Sequence, residues 1–331
     1  SVIAKNSKLE NFYENSKDEF VTLKRKSSFS IPSALKLAKI IDKKEIDLIH
    51  IHWTKDIPII VLAKIFSKRK PKIIQTRHMT MTRFKDDFYH KFLYKNIDFI
   101  IAVTKELENQ MNRFIPKDIR PKIETLYLGA QCPDMFDKNE IYEYKASLNA
   151  SDSFMIGLIG RINEFKGQYL LIEAMNILEN KDYNIKSFFL GHAMSEEYLQ
   201  SLKTKVTELK LDNKIEFLGF SKEPHKFMQA CDVVLMTSRN ETFGLVTIEA
   251  MQMQTAVIGS NSGGVLEIID DEETGLLFTS EDAQDLALKI EKLYLDENLK
   301  NRLALNGQEK ANEKFNNKKQ FEKLLSLVDS I

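Results

Sequence analysis

The chain has 331 residues, with 48 Lys and Arg against 48 Asp and Glu, 43% hydrophobic and 29% charged. That balance excludes a disordered chain, a collagen-like chain and a basic nucleic-acid tail. No apolar run approaches the ~20 residues that span a bilayer. Ser1-Val2-Ile3-Ala4-Lys5 is not a charged-then-apolar leader. Cys132 and Cys231 stand far apart, so the expectation is a reduced cytoplasm and no structural zinc.

The elements read in chain order as alternating strand and helix patterns. Apolar, β-branched runs predict buried parallel strands at Phe20–Leu23, Asp47–Ile51, Lys72–Thr76, Phe99–Val103 and Ile123–Leu128. Helix-period segments lie between them at Ser33–Lys43, Ile57–Ser67, Phe88–Tyr94 and Lys105–Phe114. Residues 134–152 are polar and read as the linker. A second series predicts strands at Phe154–Ile159, Ile185–Leu190, Lys214–Leu218, Val233–Met236, Ala256–Ile258 and Gly275–Phe278. Its helices are expected at Gly167–Leu178, Glu196–Leu209, Pro224–Ala230, Leu245–Met253, Val265–Ile269 and Asp282–Leu295, with a helical end from Asn298. Two successive β/α series imply an α/β protein of two doubly wound parallel sheets facing a cleft.

Charge and glycine are both lopsided. Residues 1–146 carry 28 basic and 19 acidic side chains, and the remainder carries 20 and 29. The clusters Lys24-Arg25-Lys26 and Lys68-Arg69-Lys70-Pro71-Lys72 are either solvated surface or a face for anionic headgroups or an anionic acceptor. Nucleic acid is disfavoured, because no basic helix interleaves aromatics. All 12 glycines lie at Gly129 or later. A phosphate site is therefore expected in the second half, where backbone amides can come close.

Three strand-to-helix junctions carry that expectation. Gly160-Arg161-Ile162-Asn163-Glu164-Phe165-Lys166-Gly167 brackets two cations with glycines. Arg161 can bind phosphate in a bidentate way and Lys166 as a point charge. The segment fits neither GxxxxGK[ST] nor GxGxxG. Glu241-Thr242-Phe243-Gly244-Leu245 precedes a helix whose free N–H groups suit an anion. Glu249 lies inside that helix, over one turn from its start, and suits a ribose. The plain alternative makes Glu241 a helix cap and Glu249 a surface residue. Ser262-Gly263-Gly264 forms a third junction whose amides could join the same site. His50 and His52 share a strand face, but with no third ligand nearby the expectation is cleft lining and packing, not metal. His90, His192 and His225 read as structural or surface residues.

Together Gly160-Arg161…Lys166-Gly167, Phe217-Leu218-Gly219-Phe220, Glu241-x7-Glu249 and Ser262-Gly263-Gly264 resemble the retaining glycosyltransferase family 4, of the GT-B fold. The first half is similar more loosely, through Asp47–Trp53, Thr76-Arg77-His78 and Asp98–Thr104. The resemblance implies an acceptor-side domain over 1–146, without the family's usual first strand and glycine-rich loop. It implies a donor domain over 147–312 and a C-terminal helix over 313–331 that crosses back. It implies that Arg161 and Lys166 bind the donor diphosphate, that Glu241 contacts the donor sugar, and that Glu249 takes the ribose. Gly160 and the amides of Phe243, Gly244 and Leu245 would border phosphate or sugar, Gly219 and Phe220 the nucleobase, and His78 the transferred sugar. The implied reaction is metal-independent transfer from a nucleotide sugar, UDP-linked by expectation, to a surface glycan or lipid-linked acceptor. It would run on the cytoplasmic side of a membrane. The absence of any Asp-x-Asp fits this. A nucleotide-sugar epimerase or hydrolase, or a non-catalytic degenerate transferase, are the rival readings.

Overall fold

The computed structural model describes the chain except Asn6, Lys8, Asp18, residues 24–28 and Cys132. The Lys24-Arg25-Lys26 cluster and Cys132 thus lie outside the described residues. The chain divides into two compact units, Ser1–Thr125 and Leu126–Ile331.

The first unit runs β1 (Val2–Ala4), α1 (Leu9–Glu14), β2 (Val21–Leu23), α2 (Ile31–Lys43), β3 (Leu48–Ile51), α3 (Ile57–Phe66) and β4 (Lys72–Arg77). It continues with α4 (Phe88–Tyr94), β5 (Phe99–Ala102), α5 (Lys105–Phe114) and β6 (Lys122–Thr125). β1 pairs with β2 in parallel, and β3 to β6 form a parallel sheet in chain order. β1 and α1 were not anticipated, because three and six residues are too short to show a period. α2 buries Ala34, Leu37, Ala38 and Ile41, one stripe at helical spacing, and packs on α3. Burying Leu37 and Ile41 contributes about 1.5–3 kcal/mol each. A cavity of about 420 Å³ lies beside α2, lined by Ile3, Leu23, Ile41, Ile49 and Ile59. In the second basic cluster Arg69 is not free for an anion. Its guanidinium grips Asp47 in fork fashion, at 2.7 and 3.0 Å.

The second unit opens with α6 (Lys138–Ser147), inside the stretch expected as linker. A reciprocal capping box between Asp137 and Glu140 starts it, and it packs against the later helix α9 (Pro224–Ala230). Lys145 also reaches Asp232 at 3.3 Å. Then come β7 (Phe154–Ile159), α7 (Gln168–Glu179), β8 (Ile185–Leu190), α8 (Glu196–Glu208) and β9 (Ile215–Gly219). After α9 follow β10 (Val233–Met236), α10 (Leu245–Gln252), β11 (Ala256–Ser260), α11 (Val265–Ile268) and β12 (Leu276–Phe278). The end is three helices, α12 (Ala283–Leu295), α13 (Glu297–Lys314) and α14 (Asn317–Asp329). The six strands are all parallel, in the order β12-β11-β10-β7-β8-β9. Helices cover both faces, and the core gathers Ile156, Leu158, Leu171, Val233, Leu235 and Ile258 with α7, α12 and α13. Strands buried on both faces read as unbroken apolar runs, so β7, β8 and β10 match their expected bounds. Among the described residues no helix is long and apolar enough to cross a membrane.

Candidate active site

The strand order of the second unit reverses between β7 and β10. β7 leads outward to β8 and β9, and β10 to β11 and β12. Loops leaving the carboxyl ends of two such strands diverge and leave a crevice, the usual ligand position in this architecture. Both sharp motifs stand there. The Gly160–Gly167 loop follows β7, and the Thr237–Gly244 loop follows β10.

These two loops are bound to each other. Lys166 Nζ lies 2.5 Å from Glu241 Oε2, and Ser238 Oγ donates to the same oxygen at 3.3 Å. Thr237 Oγ1 donates to the Lys166 carbonyl at 2.7 Å, and the Arg239 amide to the Phe165 carbonyl at 3.2 Å. Gly167 permits this approach. Its φ is +67°, and a Cβ there would stand 2.3 Å from the Thr237 carbonyl oxygen. Gln168, fully buried at the start of α7, donates to the Arg161 carbonyl at 3.0 Å. The Arg161 side chain is exposed and has no carboxylate within 4 Å among the described residues.

The sequence reading places an anion site at the start of α10. Gly244, with φ +103°, is the N-cap residue. Glu241 is therefore not the helix cap, and its carboxylate is held by Lys166 and Ser238 instead. Among the described residues the amides of Phe243, Gly244 and Leu245 donate to no protein acceptor. The Phe243 ring is not part of any surface. It is buried against Tyr127 and Phe315. Glu249 is half-buried, and burial pushes its carboxyl above the ordinary value.

The third junction has a different job. The Gly264 amide donates to the Glu241 carbonyl at 2.8 Å, and a Cβ on Gly263 would lie 2.3 Å from that oxygen. Asn261 and Ser262 amides are also used within the protein. This loop buttresses the Glu241 loop and does not offer those three amides to a ligand. Gly219 ends β9, two strands from β7, and is linked to it by main-chain bonds from Gly191 to Gly219 at 2.7 Å and from Gly160 to Leu190 at 2.9 Å. Phe220, beside it, is 72% exposed.

His78 belongs to the first unit, just past β4. The sequence offered His50 and His52 with no third histidine, but the fold brings His78 to them. His52 Nδ1 and His78 Nε2 are 3.3 Å apart, and the His50 and His52 rings lie 4.3 Å apart. His50 Nε2 also meets Thr76 Oγ1 at 2.7 Å. Burial holds all three below the usual imidazole range, His50 at about 4, with its two neighbours adding repulsion. Among the described residues no three His, Cys, Asp or Glu side chains are arranged to hold a metal ion.

Sequence reasoning missed three polar residues of the second unit's site. Ser238 holds Glu241. The Gln168 Oε1 and Thr247 Oγ1 atoms are buried without a partner among the described residues, at the starts of α7 and α10. Their signal was available, since polar side chains at the first turn of a buried helix seldom pack as core.

Comparison with known proteins addresses the family and the fold. Residues 141–310 match the family model for glycosyl transferases group 1, and residues 2–104 match that for glycosyl transferase 4-like proteins. The capsular polysaccharide biosynthesis glycosyltransferase CapM of Staphylococcus aureus is 25% identical over 96% of this chain and 86% of its own length. The O-antigen biosynthesis glycosyltransferase WclY of Escherichia coli is 28% identical over 69% of this chain and 64% of its own. The crystal structure of Anabaena HepE in complex with UDP superposes with a TM-score of 0.86, at 21% identity, over 100% of this chain and 92% of that one. That likeness places the fold as GT-B, two doubly wound parallel-sheet units. With one family model spanning more than half of its length, and a site built where such sheets bind ligands, the chain belongs to the glycosyl transferases group 1 family.

Proposed function

We propose that this glycosyltransferase moves a hexose from a UDP-sugar to a surface glycan or lipid-linked sugar, with retention and without a metal ion. The observation that carries the reading is the Lys166–Glu241 contact at the switch point of the second unit, beside the open N-terminus of α10. In this reading residues 147–312 are the donor domain. Lys166 and Arg161 bind the diphosphate and offset the charge that grows on it as the glycosidic bond breaks. The amides of Phe243, Gly244 and Leu245, with Gly160, border phosphate or sugar. Glu241, released from Lys166 as the diphosphate takes that cation, contacts the donor sugar. Glu249 takes the ribose hydroxyls, and Gly219 and Phe220 border the nucleobase. His78 is the catalytic residue assigned to the first unit, the acceptor side.

Support for the donor comes from HepE, whose structures are in complex with UDP and with UDP-glucose. Support for the acceptor class comes from the relatives named for capsule and O-antigen biosynthesis. Two cations and a helix terminus facing one crevice supply the electrostatic help that a metal gives other transferases. The basic first unit, with 26 Lys and Arg against 15 Asp and Glu in residues 1–125, suits an anionic surface on the cytoplasmic side. The epimerase, hydrolase and non-catalytic alternatives are not favoured, since the matched relatives are glycosyltransferases.

The test is thermal stabilisation against UDP, GDP, ADP, CDP and their sugar conjugates, with and without EDTA. A ligand at 100 times its Kd adds about 2.7 kcal/mol. The expected result is a shift with UDP and a UDP-sugar, unchanged by EDTA and lost in Lys166→Ala and Glu249→Ala. No shift with any nucleotide, or one that EDTA abolishes, would overturn the reading.

A further inference from the structure

Arg77 ends β4 and is only 8% exposed, yet no carboxylate lies within 4 Å of its guanidinium among the described residues. It is held by neutral acceptors only: Nε by the Met79 carbonyl at 2.7 Å, Nη1 by Thr54 Oγ1 and Nη2 by the Thr80 carbonyl, both at 3.1 Å. A guanidinium has five N–H groups, so two remain. A buried cation without a counter-charge is costly, and proteins rarely keep one without a use.

The remainder of the surroundings repeats the pattern. Arg77 lines a cavity of about 280 Å³ in the first unit, together with Arg83, Lys85 and Tyr89. Neither Arg83 nor Lys85 pairs with a carboxylate among the described residues. Burial, and then the repulsion of Arg83 and Arg77, lower the Lys85 ammonium, so the three cations feel one another. Asp87 is the nearby acid, and its carboxylate is occupied by the His90 amide and ring. Arg77, Arg83 and Lys85, joined on the cavity wall by Lys55, outnumber that acid. Such an excess of positive charge suits a phosphate monoester or a diphosphate diester, each carrying about two negative charges near neutral pH. At about 280 Å³ the cavity has room for phosphate groups. The position, at the carboxyl end of a parallel strand, is where such sheets receive ligands.

We propose that this cavity is a binding site for a phosphate ester or diphosphate, with Arg77 as the buried fork and Arg83 and Lys85 as the outer clamps. Its assignment to the acceptor rests on the transferase reading above; the binding of the anion does not. The phosphate can come from a soluble glycan phosphate or from a lipid headgroup.

The experiment is calorimetric titration of the full chain with pyrophosphate, inorganic phosphate and glucuronate, each in the presence of saturating UDP. Arg83→Gln, Lys85→Gln and the double variant are compared with the wild type, with circular dichroism as the check on folding. Arg77→Gln is secondary, since removing a buried cation with three hydrogen bonds can unfold the unit. Saturable pyrophosphate binding that falls about tenfold in each single variant is expected, the loss of one charge-assisted bond. Absence of saturable binding up to about 10 mM pyrophosphate, binding undiminished in the double variant, or glucuronate bound as tightly would overturn it. Flotation with phosphatidylcholine vesicles, with and without phosphatidylglycerol, identifies the source. Flotation lost in the double variant and competed by pyrophosphate assigns the headgroup, and pyrophosphate binding without flotation assigns the soluble ester. If UDP does not bind while pyrophosphate does, the donor reading fails and this site stands.

Discussion

Lys166 Nζ stands 2.5 Å from Glu241 Oε2, which ties the loop after β7 to the loop after β10. The two side chains are 26% and 20% exposed, so the pair is neither sealed nor fully wet. In the proposed donor site, an arriving diphosphate would meet a cation already oriented by a carboxylate, and binding would exchange one acidic partner for another.

Lys166→Ala is expected to lower transfer by about a hundredfold, the loss of one electrostatic contact to the leaving group. The melting temperature should stay close to wild type, since partly exposed pairs contribute only about 0–1 kcal/mol. Glu241→Gln should behave differently. It frees Lys166, so UDP affinity should hold or rise while transfer falls. Calorimetry with UDP alongside a transfer assay separates the two.

Glu249 has a raised carboxyl because it is buried. A raised carboxyl contributes stability only while protonated, present below the unfolded value and lost as pH rises through the folded one. At neutral pH the ionised group therefore destabilises the unliganded protein. Glu249→Gln should raise the unliganded melting temperature at pH 7.5 and weaken UDP binding. The gain should shrink as pH falls toward the ordinary carboxyl range. An unchanged melting temperature across that range would contradict the assignment.

The histidine cluster sets the opposite slope. His50, His52 and His78 are all lowered, His50 to about 4 from 6.5. The unfolded chain then binds more protons between those limits, so stability falls as pH drops from 6.5 towards 4. His50→Asn should flatten this dependence, read as melting temperature against pH. His78→Asn should flatten it less and lower transfer more.

Gly167→Ala tests the loop junction. Its left-handed φ and the 2.3 Å approach to the Thr237 carbonyl leave no space for a methyl group. A destabilisation of about 2 kcal/mol is expected, with loss of the UDP-induced thermal shift. Gly160→Ala is a control of another kind. It carries φ +146° but open space around the added carbon, so it should affect the loop conformation without a clash and cost less stability.

The alternation of strands and helices was legible because it is written locally. Parallel strands covered on both faces demand unbroken apolar runs, which is why Phe154–Ile159 and Val233–Met236 could be bounded from residues alone. The glycine-bracketed cations and the Glu241-x7-Glu249 spacing were legible for the same reason, since each lies within one loop and the helix it leads into. α6 was lost in the polar stretch because none of its residues is buried, although Asp137 and Glu140 already wrote its capping box. Strand order is another matter. Nothing in the local pattern says that β7 sits beside β10, so the contact between Lys166 and Glu241, 75 residues apart, had to await the sheet. The same holds for His52 and His78, brought together across 26 residues by β3 and β4, and for the buried Arg77 with its cavity. Chemistry that needs one residue type at one spacing is carried by the chain. Chemistry that needs two charges to meet, or to be left unmatched, depends on which strands become neighbours, and that is decided only when the whole core packs.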